Sequence, residues 1–284
     1  MTLQFGRNVR ITFGEYGKEG IQSTGLRVSF SVQKTKKKEV NSAQIQIYNL
    51  TQENRKSLSG NNIFFQIEVK WDAEEVWSIL ASGDVLDVSS QQNGADIITS
   101  VTIADGIKDV RDTAFNKSYP KGTKFSSVLT DILGTFKNID VQDAKNFVSK
   151  AISNSKEFLT GSTISGRSFD ELDKILTPLG LNASVTDNQL IIDKKFETSQ
   201  TEAFLLKSDS GLLGSPQEKT FTLNKEEKKG ISISTLLNPR INIGSIVKIK
   251  SKQIDGEYVV FSLTHAGDSI EGSWLTTAEC LERL

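Results

Sequence analysis

The chain has 284 residues, with Lys plus Arg at 34 and Asp plus Glu at 35, so its net charge is −1. That balance excludes a global field that would draw nucleic acid or an anionic membrane. Hydrophobic residues make up 37% and charged ones 24%, which suits modest cores and much wetted or partner-facing surface.

A length of this order suits about two domains. The single cysteine, Cys280, excludes an internal disulfide framework, and its strand-like surroundings place it in a core. Met1 to Arg10 holds Arg7 and Arg10 but no apolar block, so no signal peptide is expected there. No run approaches the roughly 18 apolar residues of a membrane-spanning helix. A reducing, aqueous compartment, the cytoplasm, is expected. The Asn-x-Ser/Thr matches at Asn49, Asn116 and Asn182 then carry no glycan.

From residue 1 to about 110 the apolar period is two. Leu26, Val28, Phe30 and Val32 alternate with Arg27, Ser29, Ser31 and Gln33. Ala43, Ile45 and Ile47, then Phe65, Ile67, Val69 and Trp71, then Ile97, Thr99, Val101 and Ile103 repeat the pattern. Such alternation predicts antiparallel strands with one dry and one wet face. Lys34, Lys36, Lys37 and Lys38 are expected in a solvated hairpin loop, and Thr51 to Ser59 as one short helical turn.

Between about 115 and 200 the period changes to that of helices. Phe125, Val128, Leu129, Ile132, Leu133 and Phe136 share one face behind Thr123 as N-cap. Ala144, Phe147, Val148, Ala151 and Ile152 share another. A third helix opens at Ser168 with Glu171 at capping-box spacing, buries Phe169, Leu172, Ile175, Leu176 and Leu179, and closes at Pro178 and Gly180. Ile164 before it and the runs Leu181–Val185 and Leu190–Ile192 after it, joined at Asp187 and Asn188, predict a β-α-β-β unit.

From about 205 onward alternation returns in Val247 and Ile249, in Val259, Phe261 and Leu263, and in Trp274, Thr276, Ala278 and Cys280. Turns are expected at Asn238-Pro239, Ile243-Gly244, Asp255-Gly256 and Gly267-Asp268. The fold class expected is mainly β with α/β insertions. Two tube-like antiparallel β-barrel domains, residues 1–110 and 203–284, would flank small α/β modules in 111–202, at about 115–160 and 161–200.

Catalytic chemistry finds little support. The one histidine, His265, excludes any two-histidine metal site. His265 and Asp268 could be imagined as a base and its orienting carboxylate, but a side chain capping a loop is the plainer reading. No phosphate-binding loop, dinucleotide fingerprint or nucleophile elbow occurs, and the pairs Glu74-Glu75 and Glu226-Glu227 sit side by side in polar segments. Neither a cofactor nor a metal is expected, and the chain reads as a structural protein that assembles with others.

Several segments carry a family resemblance. They include Asn41-Ser-Ala-Gln-Ile-Gln-Ile-Tyr-Asn-Leu50 with Arg55, Tyr119-Pro-Lys-Gly-Thr123, and Ile164-Ser-Gly-Arg-Ser-Phe-Asp-Glu-Leu-Asp-Lys-Ile-Leu176. Gly211-Leu-Leu-Gly-Ser-Pro216, Thr235-Leu-Leu-Asn-Pro239 with Gly244, Asp255-Gly-Glu-Tyr258, His265-Ala-Gly-Asp268 and Trp274-Leu-Thr276 complete the series. In this order, over nearly the whole chain, they resemble the baseplate hub proteins of contractile-tailed bacteriophages, the late control gene D type. The resemblance implies a homotrimer whose six barrels form a pseudo-sixfold ring between a hexameric tail tube and a trimeric central spike. It implies tape measure and baseplate wedge proteins as further partners, DNA only in transit, and residence in the virion tail baseplate after assembly in the host cytoplasm. Positions expected to matter for fold and assembly are Tyr48, Asn49, Leu50, Pro239, Gly244, Gly256, Tyr258, His265, Gly267, Asp268 and Trp274. Competing readings are a peptidoglycan-binding module in 115–200, a hydrolase centred on His265 and Asp268, and the hub of a tailocin or secretion-type injection machine.

Overall fold

The computed structural model describes residues 6–36, 41–152, 157–194, 203–223 and 226–283. Two compact units make it up, one from Met1–Ala104 with Thr198–Leu284, the other from Asp105–Glu197.

The N-terminal segment of the first unit holds β1 (Asn8–Glu15), β2 (Ile21–Thr24), β3 (Val28–Thr35), β4 (Ser42–Tyr48), α1 (Gln52–Leu58), β5 (Ile63–Lys70), β6 (Ser78–Asn93) and β7 (Asp96–Ala104). The second unit holds α2 (Ile107–Asp112), β8 (Ala114–Tyr119), α3 (Phe125–Leu133), α4 (Gln142–Ala151), β9 (Ser162–Arg167), α5 (Ser168–Leu176), β10 (Leu181–Thr186) and β11 (Gln189–Lys194). The C-terminal segment returns to the first unit with β12 (Ala203–Lys207), β13 (Leu212–Leu223), β14 (Glu226–Leu236), β15 (Ile246–Lys250), β16 (Asp255–Asp268) and β17 (Trp274–Glu282).

The expected alternation is what builds the first unit. Ile11 and Phe13 of β1 stand opposite Ile67 and Phe65 of β5, and the two phenylalanine rings lie nearly parallel with centroids 6.1 Å apart. Around them Ile45, Ile47, Leu58 and Ile103 close one core. A second core gathers Ile231, Ile233, Val247, Ile249, Val260 and Cys280. Each such fully buried side chain contributes about 1.5–3 kcal/mol. Thr51 caps α1 by accepting the Asn54 amide at 3.3 Å, and Leu58 is the residue this helix buries.

The strands share one sheet in the order β13-β14-β17-β16-β3-β4-β7-β6-β5-β1-β2, with β15 paired to β16 and β12 to β15. Every ladder is antiparallel except β12–β15. The fold is thus mainly β with an α/β insertion, but no closed barrel occurs among the described residues. The reason lies in β16. Its first part, Asp255–Val259, pairs with β15, while Ser262–Asp268 pairs with β3 of the other half. An edge used across the halves cannot also close a ring within its own half.

Other expectations need correction. Lys34 is buried at the end of β3 rather than solvated; Lys37 and Lys38 lie outside the described residues. Gly256 and Gly267 with Asp268 lie inside β16, and the bends fall instead at Ser251–Ile254 and after Asp268. The N-cap of α3 is Lys124, while the Thr123 hydroxyl donates to the Pro120 carbonyl. Ser168 is the first residue inside α5, and no capping box forms: its hydroxyl meets Thr135, and Glu171 pairs with Lys174.

In the second unit β9 pairs with β8, not with the hairpin of β10 and β11. The modules are therefore β8-α3-α4-β9 and α5-β10-β11, in place of a β-α-β-β unit. Asp187 and Asn188 turn that hairpin with φ of 51° and 64°, as their residue types allow. Val128, Leu129, Ile132, Leu172, Leu176 and Leu190 form the core of this unit. The buried Asp109 carboxylate accepts the backbone amides of Lys137, Asn138 and Ile139 at 2.7, 2.7 and 3.1 Å. It also accepts the Asn138 side-chain amide at 3.0 Å. Asp109→Ala leaves these donors unpaired and is expected to cost about 3 kcal/mol, read as a loss of urea unfolding midpoint. Asp109→Asn, which keeps one acceptor oxygen, should lose less.

Candidate assembly surface

One face of the sheet covers the two cores, and the other is polar without being charged along its middle. Ser29, Gln46 and Ser100 form one row across β3, β4 and β7, and Ser31, Gln44 and Thr102 the next. The Ser29 row crosses to Asp268 of β16 and the Ser31 row to Ala266, while a third row runs from Gln33 through Thr264 and Thr277 to Ser234 of β14. The first row ends on Asp268, the second runs on to Asp87 of β6, and Glu279 lies two positions beyond Thr277 on the same face of β17. At the β13 end Leu213 and Leu236 stand exposed, beside Leu275 of β17. Such a face offers hydrogen bonds over several strands, and the rows named reach acidic rather than basic groups.

The residues singled out in the sequence fall at the ends and the seam of this sheet. Asn49 leaves β4 with φ of 58°; its side chain donates to Asp96 at 2.8 Å and accepts the Ile97 amide at 3.0 Å, locking β4 to β7. Leu50 is buried, and its carbonyl accepts Arg55 at 2.7 Å. Tyr48 lies under Arg27, whose guanidinium carbon is 4.7 Å from the ring centroid. Arg27 in turn donates to Asp268 at 3.0 Å and to Glu271 at 2.7 Å. Burial by itself pushes the Asp268 carboxyl up, but the amide of Ile270, then Arg27 and the amide of Glu271, outweigh it and hold the group below its ordinary range. Sequence reasoning counted Arg27 only as a wet-face residue, because its partners are some 240 positions away and leave no local signal.

Pro239 and Gly244 shape the segment before β15, Gly244 with φ of 82° and its amide on the Val260 carbonyl at 2.8 Å. Gly256 leaves room for the Tyr258 ring, which a Cβ would meet at 3.2 Å; burial, then Glu282 and Glu218, raise the Tyr258 hydroxyl pKa. Gly267 is the tightest of these positions. It stands opposite Trp274 on one side and Phe30 on the other, and those rings meet edge to face over it with centroids 5.4 Å apart. A Cβ there would lie 2.6 Å from Trp274 and 2.7 Å from Phe30.

His265 does not cap a loop. It points into the seam with no exposed surface, and its Nδ1 lies 2.8 Å from the Thr276 hydroxyl. Nε2 has no partner. Burial, with Lys34 adding to it, lowers the imidazole pKa to about 3, so the ring is neutral in the folded protein. The structure does not bring His265 and Asp268 together: three positions apart on one strand, they point to opposite faces. Among the described residues no cluster of three or more His, Cys, Asp or Glu side chains could hold a metal ion.

A continuous sheet over two cores with an inserted α/β unit is a fold shared with several solved tail proteins. A tail protein of Neisseria meningitidis MC58 superposes with a TM-score of 0.61 at 12% identity, over 98% of this chain and 97% of that one. The 43 kDa tail protein of prophage MuSo2 from Shewanella oneidensis gives 0.58 at 13% identity, over 96% of each chain. The E. coli c3393 protein, a component of the type VI secretion system with structural similarity to phage T4 tail proteins gp27 and gp5, gives 0.60 at 10% identity, over 96% and 77%. No curated protein sequence matches. The family is shown by the sequence itself: residues 8–280 match the baseplate hub gp41 family, and the chain belongs to it. That family is a structural one, and the protein is not an enzyme.

Two outcomes test the seam. Gly267→Ala is expected to cost about 1–3 kcal/mol in urea unfolding, because both rings must shift. For His265 the folded pKa lies below the unfolded value, so its contribution is complete above about pH 6.5 and is lost as pH falls toward about 3. Between those limits it adds a slope of about 1.4 kcal/mol per pH unit. His265→Gln should flatten that part of the stability profile, even where it lowers stability at pH 7.

Proposed function

We propose that the protein is the baseplate hub of a contractile tail, a homotrimer that joins the hexameric tail tube to a trimeric central spike and forms part of the channel for DNA. The observation that carries this reading is the unbroken sheet spanning both halves of the chain, with its face rich in Ser, Thr and Gln, in a member of the baseplate hub gp41 family. A face of that composition suits a lumen through which a polyanion slides, since it hydrogen-bonds without holding phosphate by charge. Each chain would bring two tube-like domains to the ring, residues 1–110 and 203–284, with the α/β modules of 111–202 inserted between them in sequence. Tyr48, Asn49, Leu50, Pro239 and the β16–β17 positions from Tyr258 to Trp274 would then act in assembly by fixing the strands that neighbours meet. Partners in this reading are the spike and tube proteins, with tape measure and wedge proteins around them, in the virion tail baseplate after assembly in the host cytoplasm.

The fold shared with a type VI secretion component supports a second reading, the hub of a related injection machine with the same mechanical task. Light scattering on the purified protein, alone and with a co-expressed spike, tests both. A particle of three times 31.3 kDa is expected. A monomer under both conditions would overturn the ring.

A further inference from the structure

The two halves of the first unit repeat one strand plan. The ladders β3–β4, β4–β7, β5–β6 and β6–β7 correspond, in chain order, to β13–β14, β14–β17, β15–β16 and β16–β17. Both β6 and β16 carry one extra residue against the following strand, Leu86 and Phe261. Aligning those bulges sets Ser90 with His265 and Thr99 with Thr276. The contacts match as well: the Ser90 and Thr99 hydroxyls lie 3.1 Å apart, as His265 and Thr276 lie 2.8 Å apart. Beyond the ladders, the Tyr48 amide donates to the Arg27 carbonyl as Leu236 does to Gly211, and Asn49 to Ile97 as Leu237 does to Trp274.

One ladder has no counterpart. Ser262–Asp268 of β16 pairs with β3. The equivalent stretch of β6, Asp87–Asn93, has no strand on that edge among the described residues. Nor has β13, the equivalent of β3, on its outer edge.

We infer that a second copy of this chain supplies the missing ladder, β6 of one copy pairing antiparallel with β13 of the next in the register of the internal seam. The inference rests on the oligomeric hub reading and names its interface. Transferred through the repeat, Ser262 opposite Thr35 becomes Asp87 opposite Phe221, and Thr264 opposite Gln33 becomes Ser89 opposite Lys219. Ala266 opposite Ser31 becomes Gln91 opposite Gln217. Asp87 then stands diagonal to Lys219 on one face, a favourable charge pair in an antiparallel sheet. Internal and external seams alternate, and each copy adds eight consecutive strands from β13 to β6. A head-to-tail contact of this kind closes into a ring when its rotation divides a full turn.

The test is a disulfide placed in the full-length chain. Ser89 and Lys219 are exposed, and Cys280 is buried with its thiol pushed up by desolvation, so Ser89→Cys with Lys219→Cys supplies the reactive pair. Oxidation, or a short bis-maleimide, is expected to convert most of the assembled protein to covalent oligomers on a denaturing gel. Mixed single variants should give covalent dimers, and Ser90→Cys with Lys219→Cys, which face opposite sides of the sheet, should give none. An assembly of unchanged mass in which Ser89→Cys with Lys219→Cys fails to cross-link would overturn the seam and leave the hub reading standing. An unmodified protein that stays monomeric, alone and with the spike, would overturn both.

Discussion

Seven residue pairs, Ser262–Asp268 against Thr35–Ser29, hold the two halves of the first unit in one sheet. Each half gathers a core, and Leu237 and Trp274 of the second half reach into that of the first. The ladder adds a fixed alignment, because register in a strand is all or nothing. A slip of one residue would turn Phe30 and Val32 to the wet face and bring Ser29 and Ser31 inward. What fixes the register is concentrated at one end. Gly267 fits only beneath Trp274 and Phe30, while Asp268 is gripped by Arg27 and by the amides of the following bend.

Polar groups are buried along this seam. His265 sits neutral against Thr276, whose hydroxyl also accepts the Asn238 amide at 3.1 Å. Replacing such a cluster with apolar side chains could give a more stable chain with a less definite pairing. The corresponding pair in the other half, Ser90 and Thr99, is smaller and nearer to solvent. A histidine thus occurs where the partner strand comes from the same chain, and a serine where the edge is open.

Much of this arrangement was legible in the sequence, and the rest was hidden for identifiable reasons. Strands with clean alternation, such as β3, β4, β5, β7 and β17, read directly, as did the helical faces of α3, α4 and α5. The long strands β6, β13 and β14 did not. A bulge at Leu86 breaks the period in β6, Gly214 and Pro216 interrupt β13, and β14 opens on Glu226-Glu-Lys-Lys229. Such strands are exposed on both faces over part of their length, so no burial imposes a pattern. Glycine was misread as a turn signal at Gly256 and Gly267, where it instead makes space for aromatic rings. That distinction depends on residues of neighbouring strands, and so does the pairing of β9 with β8. The positions singled out for assembly came from family resemblance; the contacts they make, those of Arg27 above all, join segments far apart in the chain.

The interruption at Gly214–Pro216 has a consequence for the chain before it meets any partner. The β13–β14 ladder shifts register between Leu213 and Gln217, and Pro216 has no amide hydrogen to offer. The part of the β13 edge that can dock another strand is therefore a few residues long, ending near Phe221. Newly made chains accumulating at high concentration would otherwise present a long sticky margin and polymerise into open filaments. A short, proline-bounded margin makes each single encounter weak and reversible. In the seam inferred above, misaligned pairs would come apart, and only a closed circuit, in which every margin is satisfied at once, would persist.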